Sequence, residues 1–273
     1  METLKLAIDD ITLGYGQKPV VRNITFDARP GEMVGLVGPN GSGKSTIIKS
    51  LSSVLRPWEG KIMANGQDIA KISRKDMDLL ISTVPQMPVL PSAYTAFEIV
   101  LMGRNPHLGL FEYESRKDMD VAWKAMERTG TQHLAERRIN ELSGGEIQSV
   151  VIARALAQQT DAMILDEPTA NLDVGRQIEI LDLIRSLCCE NDMTVIAALH
   201  DLNLAVHYCD KVVLISSGGI HAKGTPEEVI TTENIEQVYG FGSYVHTHPL
   251  TGLPAVLPRV VGNRSVNKNV KEG

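Results

Sequence analysis

The chain has 273 residues, 43% hydrophobic and 22% charged, proportions that suit a globular protein with a sizeable buried core. Its formal net charge of −6 argues against general nucleic-acid binding, which draws on clustered Lys and Arg. No run approaches the roughly 18 consecutive apolar residues of a membrane-spanning helix, and the opening METLKLAIDD lacks the basic-then-apolar order of a signal peptide, so the chain is expected not to cross a membrane by itself.

Residues 4–30 alternate as short strands (Leu4, Leu6, Ile8, then Val20, Val21, Ile24, Phe26) broken by Gly14 and Gly16. Met33–Val37 is a short apolar run. Beyond a glycine-rich stretch, apolar residues at 47, 48, 51, 54 and 55 mark one face of a helix that Pro57 is expected to end. Asn65-Gly66 reads as the turn of a second strand pair. From about 88 to 158 the pattern is almost all helical. Ala162–Leu165, Thr194–Leu199 and Val212–Ile215 are buried-strand candidates, with a helix over 174–187 among them. Cys188 and Cys189 fall late in that helix, and with Cys209 they form neither an even set nor a CxxC, which suits a reducing compartment.

Strand–helix alternation of this kind predicts an α/β fold with a mainly parallel sheet, accompanied by an antiparallel β subdomain and an inserted helical subdomain. A short helix or two follow from about 227, and the stretch after 233 is too short for a separate domain. The expected layout is one domain over 1–260 with residues 261–273 as a disordered tail.

Gly38-Pro39-Asn40-Gly41-Ser42-Gly43-Lys44-Ser45-Thr46 fits GxxxxGK[ST] between a strand and a helix, the context that a phosphate-binding P-loop requires. Glycines let consecutive backbone N–H groups turn inward around an anion, and the helix start adds its positive dipole end. Lys44 is expected to reach the β and γ phosphates and the Ser45 hydroxyl to bind Mg²⁺. The apolar run Met163-Ile164-Leu165 ends in two adjacent acids, whose side chains point to opposite sides of a strand and so have different tasks. Asp166 is placed to hold Mg²⁺ through water, and Glu167 to orient or deprotonate the attacking water.

Between these clusters Leu142-Ser143-Gly144-Gly145-Glu146 opens an apolar helix. In this order the motifs resemble those of ABC ATPases, with a P-loop NTPase core, over about residues 5 to 235. The resemblance implies that Tyr15 stacks on adenine, that Gln86 joins the metal site and senses the γ-phosphate, and that His200 contacts that phosphate. It implies that Asn171-Leu172-Asp173 crosses between two subunits of a homodimer, where the signature helix of one copy points at ATP held by the other. One departure is that Ser149 follows Gln148 where many relatives carry a basic residue.

Val100-Leu101-Met102-Gly103-Arg104-Asn105-Pro106-His107 and the tail His248-Pro249-Leu250-Thr251-Gly252-Leu253-Pro254 resemble the ATP-binding subunits of importers for iron-siderophores, haem and vitamin B12. That implies integral membrane permease subunits as partners, indirectly an extracytoplasmic substrate-binding protein, and a place at the cytoplasmic face of the cell membrane. Subunits for zinc, manganese or molybdate, or a soluble assembly ATPase of the iron–sulfur scaffold type, are the alternatives. His246 and His248 form an HxH with no evident third ligand.

Overall fold

The computed structural model describes residues 4–109, 111–170, 172–240 and 243–258; Asn171 and the expected tail 261–273 lie outside them. In chain order the elements are β1 (Leu6–Tyr15), β2 (Lys18–Ala28), β3 (Met33–Val37), α1 (Lys44–Leu51), β4 (Glu59–Ala64), β5 (Gln67–Asp68), α2 (Arg74–Leu80) and β6 (Ile81–Val84). There follow α3 (Ala96–Leu101), α4 (Arg116–Arg128), α5 (Gly144–Ala157), β7 (Ala162–Asp166), α6 (Val174–Asn191), β8 (Thr194–Ala198) and α7 (Leu202–Tyr208). The remainder is β9 (Lys211–Ser216), β10 (Gly219–Gly224), α8 (Pro226–Val229), α9 (Thr232–Tyr239), β11 (Ser243–Thr247) and β12 (Pro254–Pro258).

A six-stranded sheet of order β10-β9-β3-β8-β7-β6 is parallel except at β10. Neighbouring residues on a strand face opposite ways. Val34, Leu36, Ile164, Ile196 and Val213 therefore pack on one side, with Ile47, Ile48 and Leu51 of α1 and the inner faces of β1 and β2. Met33, Val37, Met163, Leu165, Val195 and Leu214 pack on the other, against Ile152, Leu181, Val206 and Val229 of the covering helices. Burial on both faces is why these strands read as unbroken apolar runs. β2, β1, β4 and β5 form an antiparallel sheet beside this core.

α3, α4 and α5 lie between β6 and β7 in the chain and build a third cluster from Ile99, Val100, Ala122, Met126, Val150 and Ala153. The insertion is less helical than its composition predicts. Residues 85–95 form no helix, because Pro85, Pro88 and Pro91 supply no backbone N–H. α1 also stops at Leu51, well before Pro57. Ser53 is left-handed (φ 57°), and the N–H groups of Val54 and Leu55 turn back to the Lys49 carbonyl at 2.8 and 3.0 Å, a C-terminal cap that ends the helix.

α2, β6, α7, β10 and the β11–β12 hairpin are additions to the predicted elements. The hairpin docks on α7 through the Asn203 side chain, which donates to the Val256 carbonyl (3.3 Å) and accepts from its N–H (2.8 Å). Val245, Leu253 and Val256 lean on the main core. Among the described residues no helix is long and apolar enough to cross a membrane.

Candidate active site

The loop from Gly38 to Gly43 joins β3 to α1 in a conformation only glycine tolerates at two points. A Cβ on Gly38 (φ 151°) would lie 2.2 Å from the Ile215 carbonyl oxygen, and one on Gly43 (φ 112°) 2.1 Å from Val21 Cγ1. The loop is thereby seated against β9 and β2, with Asn40 and Gly41 exposed at its crest and Ser42 and Thr46 buried. Ser42 Oγ has no hydrogen-bond partner among the described protein groups.

Lys44 is buried and its ammonium donates to the carbonyls of Gly38 (2.8 Å) and Pro39 (3.2 Å). Burial pushes its pKa down, while the facing carboxylates of Glu167 and Asp166 oppose that shift. Ser45 Oγ donates to Asp166 Oδ1 at 3.0 Å. Burial pushes the Asp166 carboxyl up; the Ser45 bond works against this, and neighbouring Glu167 adds to it.

Glu167 follows β7 with a left-handed backbone (φ 51°), and its N–H donates to the Ala198 carbonyl at 3.1 Å. Its carboxylate is 7% exposed and held from two sides. Gln86 Nε2, from the loop after β6, donates to Oε2, and His200 Nε2, from the end of β8, lies 2.5 Å from Oε1. The Gln86 amide thus engages Glu167 rather than the Ser45–Asp166 pair. These side chains line a cavity of about 350 Å³ shared with Thr169, Gln177 and Leu204.

Tyr15 ends β1 half exposed, with Lys49 Nζ 3.5 Å from its hydroxyl and 5.7 Å from its ring centre. Lys49, one turn beyond Ser45 on α1, also counters the rise in the Asp166 pKa. Its signal in the sequence was only its helical spacing.

Ser143 caps α5 in a reciprocal box. Its hydroxyl accepts from the Glu146 N–H (3.4 Å), and Glu146 Oε2 accepts from the Ser143 N–H (2.7 Å), bonds that lower the Glu146 pKa. Leu142 anchors in the helical cluster, while Ser143 and Gly144 face solvent. No hydrogen bond or ion pair among the described residues joins 142–146 to the phosphate loop of the same chain. Leu172 packs close to Gly145, and Asp173 caps α6 by accepting from the Arg176 N–H at 3.0 Å.

Within the 100–107 stretch, Val100, Gly103 and Arg104 are buried, while Asn105 and His107 are exposed. Arg104 is 4% exposed; its Nε pairs with Asp118 Oδ1 at 3.0 Å and its Nη1 donates to the Ala157 carbonyl (2.7 Å) and Gln159 Oε1 (3.0 Å). His107 Nε2 lies 2.7 Å from the Gln158 carbonyl. The stretch therefore ties the C-terminal end of α5 to the N-terminal end of α4. The Asp118 pKa falls to about 2 through its bonds from the Ser115 hydroxyl and N–H and from Arg104.

Glycines that no other residue could replace, a buried cation, an unpartnered buried hydroxyl and a hard-oxygen pair at Ser45–Asp166 suit a nucleotide with Mg²⁺. The ABC transporter family profile matches residues 21–170. The chain belongs to that family. It is an ATPase of the ABC type, whose members hydrolyse ATP to power transport. It is 38% identical over 254 residues to the ferric enterobactin transport ATP-binding protein of Escherichia coli (strain K12), covering 93% of this chain and 94% of that one. A solved metal-chelate type ABC transporter in an inward-facing conformation superposes with a TM-score of 0.82 at 29% identity, covering 94% and 98% of the two chains. A dimeric ATP-binding cassette in a post-hydrolysis state with ADP and Pi gives 0.73 at 25% identity, covering 81% and 98%.

Proposed function

We propose that this ABC ATPase powers an importer for an iron-siderophore, haem or cobalamin-like metal chelate. It works as a homodimer at the cytoplasmic face of the cell membrane, under separate permease subunits and, through them, an extracytoplasmic binding protein. The observation that carries the hydrolytic part is the meeting of Gln86, Glu167 and His200 on one carboxylate.

In this reading Lys44 exchanges its bonds to the Gly38 and Pro39 carbonyls for bonds to the β and γ phosphates, and Ser42 supplies its free hydroxyl. Ser45 and Asp166 hold Mg²⁺, which when bound neutralises charge on the phosphate oxygens. Glu167 orients a water for in-line attack and accepts its proton, while His200 and Gln86 hold the carboxylate and report on the γ-phosphate. Tyr15 stacks on the adenine, with Lys49 beside it.

Pairing is supported by the signature turn. Ser143 and the first amides of α5 face outward and make no contact with the phosphate loop of their own chain, so they are free to complete the γ-phosphate cradle of a second copy. Leu172 packs close to Gly145 of that turn. A permease is supported by the exposed apolar residues Met87 and Val89, 82% and 99% exposed, just beyond Gln86. The cargo class rests on the named enterobactin relative and the metal-chelate transporter.

The test uses tagged Glu167→Gln protein captured from detergent-solubilised host membranes with ATP and Mg²⁺. A many-spanning membrane protein is expected to co-purify. Recovery of soluble partners alone, with none of the protein in the membranes, would replace the importer by a soluble assembly ATPase.

A further inference from the structure

We infer that Gln177 is a positioning residue for hydrolysis. Its side-chain amide clamps the segment after Glu167 and so keeps that carboxylate between Gln86 and His200. The inference rests on the reading of Glu167 as the group that activates water.

Glu167 stands at φ 51°, a region where a side-chain-bearing residue is strained and persists only when its surroundings over-determine it. On its N-terminal side the restraint is the bond from its N–H to the Ala198 carbonyl of β8. On its C-terminal side, Ala170 N–H to the Glu167 carbonyl (3.1 Å) and Leu172 N–H to the Thr169 carbonyl (3.4 Å) are turn bonds within the segment itself. Such bonds shape the segment without fixing it to anything.

Gln177 supplies the anchor. Its Nε2 donates to the Thr169 carbonyl at 3.2 Å and to the Leu172 carbonyl at 3.1 Å, using both amide hydrogens. Among the described residues this amide is the polar tie between the segment and the body of the protein. It projects from the first turns of α6, a helix capped by Asp173 and held by buried Ile180, Leu181 and Ile184. Gln177 also lines the cavity occupied by Gln86, Glu167 and His200. Leu172, held by the same amide, abuts the signature turn at Gly145. One side chain thus sets the Glu167 backbone and the spacing of that backbone from the start of α5.

The experiment compares Gln177→Ala, Gln177→Glu and Gln177→Lys with wild type and Glu167→Gln in the full-length protein. It measures thermal midpoint, ATP affinity, and kcat and KM for hydrolysis. Loss of a supporting hydrogen bond around a reacting group is expected to lower kcat in Gln177→Ala by about tenfold or more. KM should stay within about twofold, the pattern of an interaction that matters in the transition state. Gln177→Glu keeps the size but turns an acceptor toward two carbonyls, so it should be equally slow at neutral pH. Its rate relative to wild type should rise as the pH falls and the carboxyl gains a proton to donate. Gln177→Lys, which retains a donor, should recover most of the rate.

Wild-type kcat in the Ala and Glu variants, with Glu167→Gln inactive, would overturn the inference alone. So would a parallel loss of kcat, ATP affinity and thermal midpoint in all three Gln177 variants, since that marks mere packing. Full hydrolysis by Glu167→Gln would overturn the underlying reading and this inference with it. The near-isosteric Glu variant and its pH dependence decide the matter if the Ala variant fails to fold.

Discussion

In the helical insertion Arg104 meets Asp118 at 3.0 Å, and its guanidinium also donates to a helix-terminal carbonyl and to the Gln159 amide oxygen. The Asp118 pKa is accordingly driven down to about 2. At the proposed nucleotide site Lys44 and Asp166 are buried too, but there the pKa of Lys44 is lowered and that of Asp166 raised. Both shifts disfavour the charged form. Hydrogen bonds outweigh desolvation at Asp118, whereas desolvation is the largest influence at Lys44 and Asp166, as expected of a site organised around a charged ligand. Buried charge alone therefore does not mark a functional site; the direction of the shift separates the two.

The sharpest break of this comparison is Glu167→Gln, expected to reduce steady-state phosphate release by about 10²–10⁴-fold while ATP still binds. Undiminished release would deny the second cluster its role. Arg104→Ala is the counterpart. Removing one member of a buried ion pair should cost about 3–5 kcal/mol in urea unfolding, with the turnover of folded molecules preserved. Loss of turnover without loss of stability would place Arg104 in the chemistry instead.

The same cluster gives a pH test. The folded pKa of Asp118 lies below its unfolded value of about 3.9, so its contribution is fully present above that value and is lost as the pH falls through about 2. The difference in unfolding free energy between wild type and Asp118→Asn should shrink over that window. Asp166 has the opposite sign. Its raised folded pKa makes the ionised carboxylate unfavourable above that pKa, and the penalty fades as the pH falls through it.

Asp166→Asn should therefore raise the thermal midpoint of the ligand-free protein at neutral pH by about 2–4 °C, the shift given by ~1 kcal/mol in a chain of this size. It should also abolish Mg²⁺-dependent hydrolysis. A lowered midpoint would show that this site is stabilised like the first. The smallest stability effect is expected at the signature turn, where Ser143→Ala removes a helix cap worth ~1 kcal/mol. If Ser143 serves the partner's nucleotide, turnover should fall by more than that loss explains.

Much of this was legible beforehand, for a reason that particular residues show. The phosphate loop depends on glycines, a lysine and a hydroxyl within nine consecutive positions, so its chemistry is local and its spacing is its signature. The Ser143–Glu146 cap is likewise decided within one helical turn. Alternating apolar runs sufficed to predict the α/β class because strands covered on both faces carry no polar interruptions.

Tertiary structure alone decided the rest. Gln86 and Glu167 are 81 residues apart and meet because β6 lies beside β7, a neighbour relation that no local pattern contains. The internal partners of Arg104 are not written in its neighbourhood either: they appear only when α4 and the end of α5 close around it. Gln177 reads as an ordinary helix residue until the segment after Glu167 folds back over it. Chemistry confined to one turn is written in residue spacing, whereas chemistry shared between strands depends on their order, which emerges only when the whole core packs.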